Sequence, residues 1–233
     1  MNKKIMATFA IMMFALSIAG FAYAHWTDVI YIEGTVEMGE LLVGWYDTTP
    51  YLLTWTETTN GGTEQKPWVC DAVITLDTPE TSVHHVPPET VYKYMRITVD
   101  NAYPQWDCHI QAWLKNAGTI PAKVNPDFSI SMWDQKDNEP LEFRLDSYYW
   151  DGIGWHIEGA VVDNGDDNIF GTADDVDIIN FLMFFDVPYD WQIEPCTAWS
   201  VWIGIDFKQE AEECHTYTFL IDIESIQWNK ATW

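Results

Sequence analysis

The chain has 233 residues, and 36 acidic against 11 basic side chains leave it a formal charge of −25. A field of that sign repels phosphate, so nucleic acid and anionic lipid are excluded as partners. Hydrophobic residues make up 48% and aromatic ones 15%, which is too apolar for a disordered chain and suits the half-buried surfaces of sheet.

In chain order the first element is an export signal over residues 1–24. Lys3 and Lys4 precede an uncharged, mostly apolar run from Ile5 to Ala22. Ala22-Tyr23-Ala24 then supplies the small-x-small pattern that signal peptidases cut, which makes His25 the first residue of the mature chain. The competing expectation is a retained membrane anchor, because the run is just long enough to span a bilayer. Residues 25–233 read as one domain that works outside the cytoplasm. Its four cysteines, Cys70, Cys108, Cys196 and Cys214, therefore meet an oxidising compartment, and two disulfides are expected with three connectivities open. No Cys-x-x-Cys pair supports zinc instead.

The mature chain reads as strands throughout. Val29–Val43, Tyr51–Thr56, Val69–Leu76 and Val91–Val99 come first, and Asp100-Asn101-Ala102-Tyr103-Pro104 turns the chain. Cys108, Ile110, Ala112 and Leu114 then alternate with His109, Gln111, Trp113 and Lys115. Phe128–Trp133, Trp155–Val162 and Val176–Phe185 follow, within and beside a Gly- and Asn-rich acidic stretch, 134–177, that reads as an insertion. Trp199, Val201, Ile203, Ile205 and Phe207 share one face, and Tyr217, Phe219, Ile221 and Ile223 share another. Period-two patterning of this extent predicts half-buried strands and no long helix. The short link between the last two strands predicts an antiparallel hairpin, which would hold Cys196 and Cys214 too far apart to bridge. The spacing of turns fits an antiparallel β-sandwich.

Three segments taken together resemble a known family. They are Ala24-His25-Trp26-Thr27-Asp28 with Gly34-Thr35-Val36-Glu37-Met38-Gly39-Glu40-Leu41; Val99-Asp100-Asn101-Ala102-Tyr103-Pro104 leading to Leu114-Lys115-Asn116-Ala117-Gly118-Thr119-Ile120-Pro121-Ala122; and Ala211-Glu212-Glu213-Cys214-His215-Thr216-Tyr217-Thr218-Phe219. Their order along one chain resembles the TasA/camelysin-like family of secreted biofilm-matrix proteins, bacterial and archaeal. The likeness covers about half the chain and leaves out Tyr46 to His85 and Ser131 to Tyr189. It implies a jelly-roll sandwich and, for fibre-forming relatives, self-assembly in which the freed N-terminal segment of one subunit completes the sheet of the next. Residues 25–45 are the candidate donor segment, with Thr27, Val29, Tyr31, Glu33, Thr35 and Glu37 as its assembly strand. An exposed sheet edge is a template for such a strand. The alternative is that this strand belongs to its own domain.

Candidate chemistry is sparse. Camelysin-like relatives are classed as metallopeptidases, but the six histidines include no His-Glu-x-x-His pair. No nucleophile elbow is present, so no catalytic residue is assigned and the chain is not read as an enzyme. The densest oxygen-rich loop runs from Asp163 to Asp175. Asp163, Asn164, Asp166, Asn168, Asp174 and Asp175 there offer the donors that Ca²⁺ takes. The residue at the EF-hand glycine position is Ile169, so the loop is either an irregular calcium site or an acidic solvated turn. Trp113 and Trp202 lie opposite their strands' apolar stripes, where they are buried by a further layer or stack on a sugar or a neighbouring subunit. The leading expectation is a secreted structural fibre subunit. The alternative is a monomeric carbohydrate- or partner-binding module, and the third is a metallopeptidase-like hydrolase.

Overall fold

A computed structural model describes residues 11–16, 39–59, 70–84, 86–125, 129–136, 139–165 and 169–227. The first 38 residues and residues 39–233 form separate units. In the first, residues 11–16 are an exposed turn of helix. Among the described residues no helix is long and apolar enough to cross a membrane. The signal residues Ala22, Ala24 and His25 and the assembly strand Thr27 to Glu37 lie outside the described residues.

The second unit is all-β and antiparallel, as the patterning predicts. Its strands are β1 (Val43–Trp45), β2 (Thr54–Thr59), β3 (Asp71–Thr81), β4 (Thr90–Asp100), β5 (Trp106–Asn116), β6 (Ala122–Val124) and β7 (Ser129–Asp134). They continue as β8 (Glu139–Trp150), β9 (Trp155–Asp163), β10 (Val176–Asp186), β11 (Gln192–Ile193), β12 (Ala198–Phe207), β13 (Tyr217–Asp222) and β14 (Ser225–Gln227). The hydrogen-bonded path β1-β4-β13-β7-β8-β9-β10-β12-β5 returns to β1, so nine strands close into a barrel. Strands β2 and β3 extend from β5 and β4, and β11-β6-β14 form a small separate sheet. Closure depends on a short strand: β1 pairs with Leu114 to Asn116 of β5 and with Tyr92 of β4. We call the end near Asn116 the upper rim and the end near Trp106 the lower rim.

Alternation explains the wall. Cys108, Ile110, Ala112 and Leu114 of β5 face Ile205, Ile203, Val201 and Trp199 of β12 inside the barrel. Directly opposed residues on neighbouring strands share a face of the sheet. The same inner rows continue through Met183 and Ile157, and the opposing wall contributes Ile97, Phe219 and Met132. Trp45, Trp106, Tyr217, Phe181, Phe185, Phe207 and Phe219 are the bulkiest of its fully buried side chains. Each such side chain contributes about 1.5–3 kcal/mol relative to exposure.

Several expectations are revised. The last two long strands do not form a hairpin: β12 lies between β10 and β5, whereas β13 lies between β4 and β7. Each has an apolar face that a central position buries between two neighbours, and pairing them with each other would leave an edge open. The stretch 134–177 contains β8 and β9, two staves of the barrel, and only its last part is loop. Of the long strand expected up to Val43, the described part is strand only from Val43 to Trp45, paired inside its own domain.

Gly118 shows how closely the chain before β1 is held. A Cβ there would lie 2.3 Å from the Glu40 carbonyl oxygen and 2.8 Å from the Leu42 nitrogen. Ala117 and Gly118 donate to the Leu42 carbonyl at 2.8 and 3.2 Å, and Thr119 donates to that of Glu40 at 2.8 Å. Glycine is the residue that lets two backbones approach so closely.

Candidate functional sites

The first candidate is a seam between β2 and β3. Trp55 and Glu57 stand opposite Ile110 and Cys108, so both belong to the inward-facing row. Ile110 and Cys108 are wholly buried, yet Trp55 keeps 41% of its surface exposed. β2 and β3 meet through a side chain, because Glu57 Oε1 accepts from the Ala72 backbone N–H and from Trp55 Nε1, each at 3.2 Å. Burial pushes the Glu57 carboxyl above its ordinary pKa, against the hydrogen bonds from Ala72 and Trp55 that favour its charge. No backbone pairing joins β2 to β3 among the described residues. The seam therefore presents two strand edges and an under-covered indole.

The second candidate is a trough on the outer wall. Cross-strand registers set Glu158, Leu182, Gly204 and His109 in one row, with Trp202 in the next. Nothing lies within 3.7 Å of where a Gly204 Cβ would sit, and the space is about 380 Å³, bordered also by Asn180 and Asp206. Trp202 is 47% exposed beside it. Asn180 Nδ2 donates to Asp206 Oδ2 at 3.0 Å. Ser147 and Tyr149 hydroxyls donate to the Glu158 carboxylate at 2.9 and 3.2 Å. Trp113, by contrast, is half-buried against Tyr51 at a ring separation of 4.9 Å. The glycine signals the trough only once β10, β12 and β5 are known to be neighbours, so it was not readable from the chain alone.

Of the six expected donors in the acidic loop, Asp163, Asn164, Asp174 and Asp175 are described, while Asp166 and Asn168 lie outside the described residues. Much of its oxygen is already engaged. Asp163 Oδ1 accepts from Gly165 N at 3.0 Å, Asp175 Oδ2 from Gly171 N at 2.6 Å, and Asp174 Oδ1 from the Thr172 hydroxyl at 2.6 Å. Gly165, at φ 63°, has the Asp174 carboxylate against its Cα, so a Cβ would fall 2.6 Å from Oδ2. The Asn164 side-chain carbonyl is buried without a hydrogen-bond partner. Among the described residues no three His, Cys, Asp or Glu side chains are grouped to hold a metal.

His215, at the lower rim, is buried with Nδ1 against Asp134 Oδ2 and Nε2 against Glu212 Oε2. Both ring nitrogens meet carboxylates, an arrangement that holds the rim together. No disulfide joins Cys70, Cys108, Cys196 and Cys214 in this structure. Cys196 N–H donates to the Asn116 carbonyl at the upper rim, and Cys214 N–H donates to that of Ala102 at the lower rim. The length of β5 separates those rims by roughly 35 Å, so Cys196 and Cys214 do not meet. Strand placement is the reason, not the expected hairpin. Cys70 and Cys108 are both buried near the seam.

The fold and sites together define an antiparallel β-barrel domain with an open lateral seam. No family model, curated protein or solved structure matches this chain.

Proposed function

We propose that this protein is an extracellular structural subunit, a jelly-roll domain that polymerises when the N-terminal segment of one copy adds to the β2–β3 seam of the next. The observation that supports this most directly is Trp55, an inward-row indole left 41% exposed between two strand edges. A strand laid into the seam would take up edge hydrogen bonds and cover the indole, the physical basis of strand addition. The segment from Thr27 to Glu37 carries the β-branched and aromatic residues that favour a strand, Val29, Ile30, Tyr31, Ile32 and Val36. A head-to-tail contact of this kind gives filaments where its rotation does not close into a ring. On this reading the chain is exported and its role is not catalytic.

The test compares the chain beginning at His25 with one beginning at Gly39 by negative-stain microscopy. Fibres are expected from the first alone. A synthetic peptide of residues 25–38 should bind the shortened domain, and Trp55→Glu should abolish that binding while leaving circular dichroism unchanged. Globules from both chains, with no peptide binding, would refute the proposal.

A second reading rests on the trough beside Trp202. An exposed indole flanked by amide and carboxylate acceptors suits a neutral polysaccharide, since the chain's negative charge disfavours an acidic one. Retardation in a native gel containing hydroxyethyl cellulose, lost in Trp202→Ala, is the expected result. Equal mobility with and without the polysaccharide removes this reading. Calcium is proposed only for the acidic loop, on the orphaned Asn164 carbonyl oxygen. Calorimetry with CaCl₂ should show heat for the native chain and none for Asp174→Ala, and silence from both discards it.

A further inference from the structure

We propose that Cys70 and Cys108 form a disulfide that staples the lower end of the β2–β3 seam, and that Cys196 and Cys214 take no part in it. Three observations bring the two cysteine positions to one buried end of the seam. Cys108 stands opposite Glu57 across β5 and β2. The Glu57 carboxylate in turn binds the Ala72 N–H, two residues beyond Cys70. Both cysteines belong to the same core cluster, at 2% and 0% exposure.

Electrostatics agrees with that placement. Burial is the largest cause raising both thiol pKa values, that of Cys70 to about 12. The Glu57 charge raises both further, and the Cys70 sulfur also opposes ionisation of Cys108. Cys214 is the only other cysteine near this rim, bonded through its backbone to Ala102, but its side chain is exposed on the outer surface. Cys196 is at the opposite rim.

The chemistry follows from the thiolate being the nucleophile. A thiol held this far above its ordinary pKa is inert, so the bridge forms during folding, before burial closes over the two sulfurs. The oxidant is a small or protein disulfide, such as oxidised glutathione. One cysteine thiolate attacks a glutathione sulfur, forming a mixed disulfide and expelling one glutathione thiolate. The second cysteine thiolate attacks the mixed disulfide at the protein sulfur and expels the other. Two thiols are oxidised to one disulfide, two glutathione thiols are produced, and the protons lost by the cysteines pass to them. Once folded, the bridge is shielded from reductant by the same burial.

This inference does not depend on polymerisation, because the seam needs the staple whether or not a strand enters it. The full chain is refolded with oxidised and reduced glutathione, denatured, alkylated with iodoacetamide, and digested without reduction. Two alkylated cysteines, Cys196 and Cys214, are expected, together with one cross-linked peptide joining Cys70 to Cys108. Refolding in excess reductant, so that the bridge never forms, should give a protein that melts roughly 10 °C lower, the effect of leaving open a loop of this length in a domain of this size. A Cys70→Ser, Cys108→Ser double variant should melt like the reduced protein and show no such shift. Four alkylated cysteines, or a cross-link from Cys70 to Cys214, would overturn the assignment. A variant that fails to fold leaves the peptide map of the native chain to decide.

Discussion

Replacing Lys115 with methionine tests how this acidic domain holds a buried cation. Lys115 Nζ lies 2.6 Å from Glu89 Oε1, and the Lys115 side chain is 7% exposed. The amine also sits 4.4 Å from the centre of the Tyr46 ring and 5.9 Å from that of Tyr51. Glu89 Oε2 is already buried without a partner. Lys115→Met keeps the packing volume but leaves the Glu89 carboxylate uncompensated, which costs about 3–5 kcal/mol for a fully buried pair. Glu89 retains 24% side-chain exposure, so the lower end, about 3 kcal/mol, is expected. In a domain of this size that corresponds to a fall in Tm of about 6–12 °C. Urea denaturation followed by tryptophan fluorescence reads the loss. Lys115→Met combined with Glu89→Leu should recover most of it, because no lone charge then remains. A single variant within about 1 kcal/mol of the native chain, or a double variant as unstable as the single, would refute the reasoning.

The same pair has an alkaline signature. Burial draws the Lys115 amine down, but the hydrogen bond and charge of Glu89 outweigh it, and the pKa rises above the ordinary lysine value. A raised folded-state pKa gives stability that is whole below the unfolded value of about 10.4 and lost as pH climbs through the folded one. The native chain should therefore lose stability above that pH, and Lys115→Met should lack this contribution.

Further outcomes follow from other sites. Gly118→Ala should destabilise by about 1–3 kcal/mol, because its Cβ meets backbone that cannot step aside; hydrogen exchange should show the Ala117 and Thr119 amides losing protection first. His215→Ala leaves Asp134 buried beside an empty space and should cost about 3 kcal/mol by denaturant melt. An unchanged midpoint would deny the lower-rim network its role. The Asp151 carboxyl is held down to about 2 by the Gly154 N–H, the His156 ring and the Ile153 N–H. A lowered carboxyl pKa gives stability present above the ordinary value and lost as pH falls towards the folded one. The melting temperature of Asp151→Ala should accordingly fall less steeply between pH 4 and pH 2 than that of the native chain.

Much of the wall was legible because period-two alternation is a local property. Cys108 to Leu114 and Trp199 to Phe207 place their buried rows from sequence as the structure does. The turn around Asn101 was equally readable, and Asn101 takes a positive φ of 53° there, which asparagine tolerates. The strand Glu139–Trp150 was not legible, since charged and aromatic residues interrupt its pattern where β8 is half-exposed.

What the chain by itself decided is which residues face inward, because side-chain direction along a strand follows from the pleat and needs no partner. Which strands neighbour each other is a matter of long-range pairing, and only the tertiary structure could decide it. That choice separated β12 from β13, carried Cys196 and Cys214 to opposite rims, and brought Cys70 and Cys108 to one seam. It also left Trp55 uncovered and opened the trough at Gly204. Candidate sites made of residues from several strands exist only after that pairing, since no local pattern encodes a contact between rows that meet across the barrel wall.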